Sequence, residues 1–263
     1  MTTSLVASIP YLNSLPFYSG LQLGDRFTLH ECMPRQSAQK AAAGELTAAL
    51  MPLAGFLRNR DTFDRLGHFG IAAKGRAHST ILFARRPVRQ LDGAVIGVSD
   101  ETTTTVCLTR LILEQRYKLV PGRYRRGVSI QDEDLDAILL IGDEALRFKQ
   151  TNGLFPFEID VAFEWWLWQH IPAVFAVWAV RKDTPPDDRK RLEAGIARAL
   201  TQNSGPALEQ LAERAAPRYN MKKEEVHAYF SSFAYRFGKN EEEGIARLTA
   251  LWEEHGLLNW DPA

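Results

Sequence analysis

Cysteine is almost missing from this chain: Cys32 and Cys107 are the only two in 263 residues. They lie far apart and match no metal or redox spacing. A disulfide framework, a zinc knuckle and a thioredoxin-type motif are therefore excluded, and each cysteine reads as a buried free thiol. Net charge is missing too, since 32 Lys and Arg balance 32 Asp and Glu. No global field favours nucleic acid or an anionic membrane, so an anionic ligand must be held by a local site. No run approaches the roughly 18 apolar residues of a membrane span. The opening MTTSLVASIPYLN has neither a basic n-region nor a sustained apolar h-region, which argues against a signal peptide and for a cytoplasmic location. Also lacking are a Walker loop, G-x-G-x-x-G, G-x-S-x-G and H-E-x-x-H. The six histidines (30, 68, 78, 170, 227 and 255) have no ligand spacing, so neither metal nor cofactor is expected.

What is present is an alternation of strand-like and helical runs. FTLHECM (27–33) and TAALMPL (47–53) flank an alanine-rich helix ended by Gly44. STILFARR (79–86) and AVIGVS (94–99) follow, then a helix over roughly 103–117. DAILLIGD (136–143) and AVFAVWAVR (173–181) are continuous apolar runs that suit strands buried on both faces. This pattern predicts α/β architecture with largely parallel sheets. After Arg181 the texture becomes helical to the end: Pro185-Pro186-Asp187 opens a helix, Gly205-Pro206 separates two, and Ile245, Leu248 and Trp252 mark one face of a last one. The length and this shift predict two lobes with a helical C-terminal tail packed on one of them.

Four stretches place small polar groups at strand ends or helix starts. SIPYLNSLPF (8–17) sets Asn13 and Ser14 after an apolar run. Either residue serves as a turn-closer, or Asn13 points its amide into a cleft at the strand's carboxyl end. His78-Ser79-Thr80 opens a strand after a glycine-containing loop. SDETTTTV (99–106) offers hydroxyls and helix N-terminal N–H groups to an anion, or simply a cap, with Asp100 and Glu101 opposing an anion if they face the same way. LLIGDEALR (139–147) ends a buried strand in Gly142-Asp143, where open α/β sheets bind ligands. The tryptophans of FEWWLWQHIP (163–172) are too close together all to enter one core, so some should line a cleft or an inter-lobe contact.

Taken in order and spacing, IPYLNSLPFY, STILFARRPVRQLDG, LLIGDEALR, IPAVFAVWAVRKD and YFSSFAYRFG resemble the chorismate dehydratases of the futalosine route to menaquinone, from about residue 5 to about 255. The wider family includes the later 1,4-dihydroxy-6-naphthoate-forming enzyme of the same route. The resemblance implies the two-lobed fold of type II periplasmic binding proteins, here with lobe 1 over 1–82 plus 178–263 and lobe 2 over 83–177. It implies a cofactor-independent hydro-lyase acting on a small dicarboxylate, as a monomer or homodimer. The asparagine of the family's Y/F-L-N motif falls on Asn13 and its strand-opening serine on Ser79, the two expected catalytic residues. Ser14, Thr80, Thr103, Thr104, Thr105, Gly142 and Asp143 are expected to bind substrate, Thr104-Thr105 matching the pair that meets a carboxylate. The chain departs from the family's pattern at Gly55, where relatives carry an acidic residue, at Asp100-Glu101 and at Ala162-Phe163. Two other readings stand beside this one: a non-catalytic binding protein for a small carboxylate on the same fold, and the later naphthoate-forming enzyme.

Overall fold

The computed structural model describes residues 4–262. In chain order the strands are β1 Ser4–Ser8, β2 Phe27–Glu31, β3 Ala48–Pro52, β4 Phe63–Ala73, β5 Thr80–Ala84, β6 Val95–Val98, β7 Arg123–Arg126, β8 Ala137–Ile141, β9 Phe157–Asp160, β10 Ala173–Arg181 and β11 Phe233–Arg236. The helices are α1 Leu15–Tyr18, α2 Pro34–Ala42, α3 Leu53–Arg58, α4 Thr104–Leu111, α5 Gly142–Thr151, α6 Val161–Gln169, α7 Pro186–Gln202, α8 Pro206–Tyr219, α9 Lys223–Ser231 and α10 Lys239–Glu254. Among the described residues no helix is long and apolar enough to cross a membrane.

Two compact units result. The first holds the described residues up to Ala72 together with Phe175–Gly238, and the second holds Ala73–Val174 together with the residues from Lys239 on. This differs from the expected 1–82 plus 178–263 against 83–177. The earlier crossing lies inside β4, because β5 is an inner strand of the second unit's sheet, hydrogen-bonded to β8 and β9. The last helix also changes sides. Gly244 of α10 packs so tightly on the Pro172 carbonyl that a Cβ would come within 2.5 Å of it. The Cys107 thiol of α4 donates to the Leu257 carbonyl at 3.5 Å. Those contacts tie the chain's end to the second unit.

The first unit's sheet runs in the order β11-β4-β10-β3-β1-β2. β1 is parallel to β2 and β3, whereas β10 is antiparallel to β3. On this sheet Phe17 of α1 meets Trp178 edge-on at 5.8 Å and Tyr235 at 5.5 Å. The buried Asn203 amide, just after α7, donates to the Pro16 and Ser19 carbonyls at 3.2 and 2.7 Å, which fixes the segment following β1. Proline at the start of α7, with Asp187 and Asp188 in its first turn, pre-sets φ and complements the helix dipole.

The second unit's sheet runs β7-β6-β8-β5-β9. β6, β7 and β8 are parallel; β5 is antiparallel to both neighbours. Both sheets are thus mixed rather than largely parallel. The reversed strands β5 and β10 are those by which the chain enters or re-enters a unit, so no crossover helix constrains their direction. One face of this sheet closes on α5 through Ile81, Phe83, Ile138, Leu140, Ala145, Phe148 and Phe155, with Phe83 and Phe148 edge-to-face at 4.9 Å. Both cysteines are buried, and neither forms a disulfide among the described residues.

Candidate functional site

In the first unit, β1 ends in a short 3-10 turn, Leu12–Ser14, that leads into α1. Ser14 is fully buried, and its Oγ lies 2.6 Å from the carbonyls of both Ile9 and Tyr11, which share its single proton. The hydroxyl closes the turn and is not offered to a ligand, contrary to the substrate-binding role expected of it. Asn13, one residue earlier, is half-buried, and no hydrogen bond to its amide is found among the described residues. The turn places this amide at the carboxyl edge of β1 while Ser14 does the turn's work.

The same edge of the first sheet explains one departure from the family pattern. Pro52-Leu53-Ala54-Gly55-Phe56 runs from the end of β3 into α3. A Cβ on Gly55 would lie 2.7 Å from the Ala38 Cβ of α2. Glycine here lets two helices touch, and an acidic side chain could enter only if they moved apart.

In the second unit, strand register gathers the remaining candidates on one edge. Val98 pairs with Leu139, Thr80 with Ile141, and Ile81 with Asp160. The carboxyl ends of β6, β8 and β9 and the start of β5 therefore lie side by side. Ser79 is buried, its carbonyl accepts the Gly142 N–H at 2.8 Å, and its Oγ reaches the Ala77 carbonyl only at 3.5 Å. Gly142 turns out of β8 at φ +55°, which is why glycine stands there. Asp143 is buried beside it at the start of α5.

The threonines occupy the same edge. Thr102, Thr103, Thr104 and Thr105 are all buried between β6 and α4. Thr103 is the N-cap of α4, yet its hydroxyl does not cap the helix. The hydroxyls of Thr80, Thr102 and Thr103 are buried without a hydrogen-bond partner among the described residues. Such groups are costly, roughly 1–3 kcal/mol each, and the uncapped helix start leaves N–H donors beside them. Hydroxyl and N–H donors of this kind can bind a small anion such as a carboxylate. Asp100 and Glu101, with Ser99, Gly127, Ser129 and Glu144, line a cavity of about 410 Å³. There the Ser99 hydroxyl donates to Glu144 at 2.8 Å.

Two residues outside the expected site set hold this edge in shape. Asp160, buried at the end of β9, caps α6 by accepting the Phe163 N–H at 3.1 Å. The same carboxylate accepts the His78 N–H at 2.8 Å and the Ala77 N–H at 3.4 Å. His78 sits in the left-handed region at φ 63°, a costly conformation for a side-chain-bearing residue, and these bonds secure it just before Ser79. Desolvation of the His78 imidazole lowers its pKa, partly offset by the Asp160 charge, so His78 is neutral at neutral pH. Arg126, the last residue of β7, donates to the carbonyls of Ser99, Asp100 and Thr102 at 2.8, 3.1 and 3.2 Å. The signals were an aspartate directly before a helical run and the basic run RYRR.

Of the crowded tryptophans, Trp165 is fully buried and its indole N–H donates to the Pro172 carbonyl at 3.3 Å. Trp168 meets it edge-on at 6.1 Å, while Trp166 is half-buried with the Lys74 ammonium 5.4 Å above it. Packing within the second unit accounts for them. Among the described residues no group of three or more His, Cys, Asp or Glu is placed to hold a metal ion.

A fold with two mixed α/β units and polar strand-end edges is that of the periplasmic-binding class. The alkanesulfonate-binding protein of Xanthomonas axonopodis pv. citri shares it, with a TM-score of 0.69 at 11% identity over 99% of this chain and 95% of that one. The model of the menaquinone biosynthesis family matches residues 5–254, and the chain belongs to that family. It is 29% identical to a chorismate dehydratase of Thermus thermophilus over 94% of this chain and 93% of that protein. It is 25% identical to a 1,4-dihydroxy-6-naphthoate synthase of the same organism over 84% of this chain and 82% of that one.

Proposed function

We propose that this protein is a chorismate dehydratase of menaquinone biosynthesis, working on the futalosine route in the cytoplasm. The observation that carries this reading is the seat of unpartnered threonine hydroxyls at an uncapped helix start, next to Ser79, in a chain that matches a dehydratase over nearly its whole length. Chorismate is a dicarboxylate. The reaction removes its ring hydroxyl and the hydrogen of the neighbouring ether-bearing carbon, giving 3-[(1-carboxyvinyl)oxy]benzoate and one water. The C–H electrons form the new ring double bond, the C–O bond breaks, and the proton leaves with the hydroxyl as water. Aromatisation supplies the driving force.

Threonines 103–105, with Thr80, hold one carboxylate. The Asn13 amide orients substrate, and the Ser79 hydroxyl supports the departing oxygen. Neither is the base, since an amide does not titrate near neutrality and an unactivated serine does not either. The substrate's own side-chain carboxylate is available for that proton. Gly142 and Asp143 shape the wall beside Ser79. Thr80, Thr103, Thr104, Thr105, Gly142 and Asp143 therefore remain the binding set, and Ser14 leaves it.

The test is incubation of the purified protein with chorismate, with the aromatic product read by ultraviolet absorbance and mass spectrometry. Conversion with loss of one water is the expected result. Binding without conversion would turn the reading into a carboxylate-binding protein. Neither binding nor conversion would favour the naphthoate-forming relative's reaction, to which the chain is also similar.

A further inference from the structure

The seat of threonines is built on a residue whose hydrogen bonds go to backbone carbonyls and a carboxylate rather than to the threonine hydroxyls. The Arg126 side chain is only 8% exposed and is the hub of four bonds. Three go to carbonyls of the 99–102 turn. The fourth runs from Nη2 to the Asp261 carboxylate at 2.6 Å. A planar guanidinium is the one side chain able to span acceptors in this fan, and a lysine could satisfy only part of it. The three carbonyls belong to the turn that sets the φ and ψ of Thr102 and Thr103, so the position of the unpartnered hydroxyls follows from Arg126.

Asp261 is itself held. Trp260 meets Tyr124 of β7 edge-on at 5.0 Å and carries the Arg110 guanidinium 4.5 Å from its ring. The Cys107 thiol lies 3.5 Å from the Leu257 carbonyl and 3.8 Å from that of Trp260. The segment 257–261 thus clasps α4, which follows the threonine turn, and β7, whose Arg126 holds that turn. Without the Asp261 carboxylate a buried cation would keep only carbonyl partners, and its cheapest adjustment would be to move.

We propose that Arg126 and Asp261 are positioning residues for substrate binding, and that the segment Leu257–Asp261 is a strap fixing the geometry of the carboxylate seat. This rests on the reading of the threonines as that seat. Neither residue contacts the reacting atoms, so their loss should weaken capture of substrate more than turnover.

The experiment compares Arg126→Lys, Asp261→Ala and Asp261→Asn with the parent protein in steady-state assays with chorismate. We expect KM to rise about 10-fold in Arg126→Lys and about 3-fold or more in Asp261→Ala, with kcat within about 2-fold, because a displaced turn misplaces a uniform binding contact. Asp261→Asn, which keeps an acceptor, should recover part of the loss. A merely structural pair would lower melting temperature and leave KM alone. Combining Asp261→Ala with Thr103→Val should give less than the product of the two separate effects, since both act on one contact. Unchanged KM in Thr103→Val would overturn the seat itself. Raised KM in Thr103→Val with unchanged KM in both Asp261 variants would overturn only the strap. Should Arg126→Lys fail to fold, the half-exposed Asp261 variants decide the matter.

Discussion

The turn after β1 and the turn after β6 use the same residue types to opposite ends. In the first, Ser14 is buried and its one proton is shared by two carbonyls. In the second, Thr102 and Thr103 are also buried, yet their hydroxyls have no hydrogen-bond partner among the described residues. A buried polar group that is engaged belongs to the fold, and one that is not has been left for something else. By that criterion Asn13, uncommitted beside the busy Ser14, sides with the threonines. Local sequence does not separate the two cases, because Ser and Thr before a helix satisfy the capping rule in both.

The largest test of this contrast is Asn13→Ala. Folding should be unaffected, since the amide holds nothing in the turn, while turnover of chorismate falls by roughly 2–4 kcal/mol of barrier. Ser79→Ala should lose activity by a similar amount. Circular dichroism and a thermal melt alongside the rate separate the effects. A parent-like rate in Asn13→Ala would remove that residue from the machinery.

Next comes Asp160→Ala. Three backbone N–H groups would lose their acceptor and His78 its hold on a left-handed conformation. The variant should lose roughly 2–3 kcal/mol of stability, as for hydrogen bonds to a charged group, and also most of its turnover, through Ser79. Asp160→Asn should restore much of both, because its amide oxygen still accepts. An active, merely less stable Asp160→Ala would confine the residue to the fold.

Legibility followed burial. The inner strands β3, β5, β8 and β10 are continuous apolar runs and stand out in the sequence. β7 and β9 escaped notice because they are four-residue edge strands rich in charge or exposed at one end, RYRR and FEID. β11 is likewise a short edge, set among helices in a tail expected to be helical throughout. β4 is longer, but Asp64, Arg65 and His68 break its apolar pattern, and Gly67 takes φ +58° within it. The candidate residues were readable as types at strand ends. Their status as engaged or unengaged was not, because it depends on how the backbone turns and on groups brought in from elsewhere in the chain, such as the Asp160 carboxylate for the His78 N–H and the Arg126 guanidinium for the Thr102 carbonyl. The division into units was misplaced for a related reason: the contacts that draw α10 to α4 join residues more than a hundred positions apart, and no local pattern records them.

Ser14→Ala and Thr103→Val sharpen the comparison directly. Ser14→Ala removes a hydroxyl donor from the buried Ile9 carbonyl, while the Tyr11 carbonyl keeps the residue-14 N–H, and should cost roughly 1–2 kcal/mol in a urea melt, with KM little changed. Thr103→Val removes an unpartnered hydroxyl at nearly constant volume, so stability should hold or rise slightly while KM for chorismate climbs. The reverse assignment, a destabilised Thr103→Val with parent-like KM, would mean the threonine turn is ordinary packing.

The smallest effect concerns an engaged group remote from both turns. The Tyr117 hydroxyl donates to Glu164 at 2.5 Å, and Arg116 pairs with the same carboxylate at 2.9 Å. Burial first, then the bond to Glu164 and its charge, push the phenol up to about 12 from an ordinary value of 10.0. A raised folded-state pKa means the contribution is complete below pH 10 and disappears as pH climbs towards 12. The group is partly solvated, so screening reduces the gain to below about 1 kcal/mol. Tyr117→Phe should therefore be slightly less stable at pH 8, yet lose less of its remaining stability between pH 10 and 12 than the parent does. Since an engaged group acts on the fold alone, KM at neutral pH should stay at the parent value. A shift in KM here would show that engagement does not divide structural from ligand-binding polar groups in this protein.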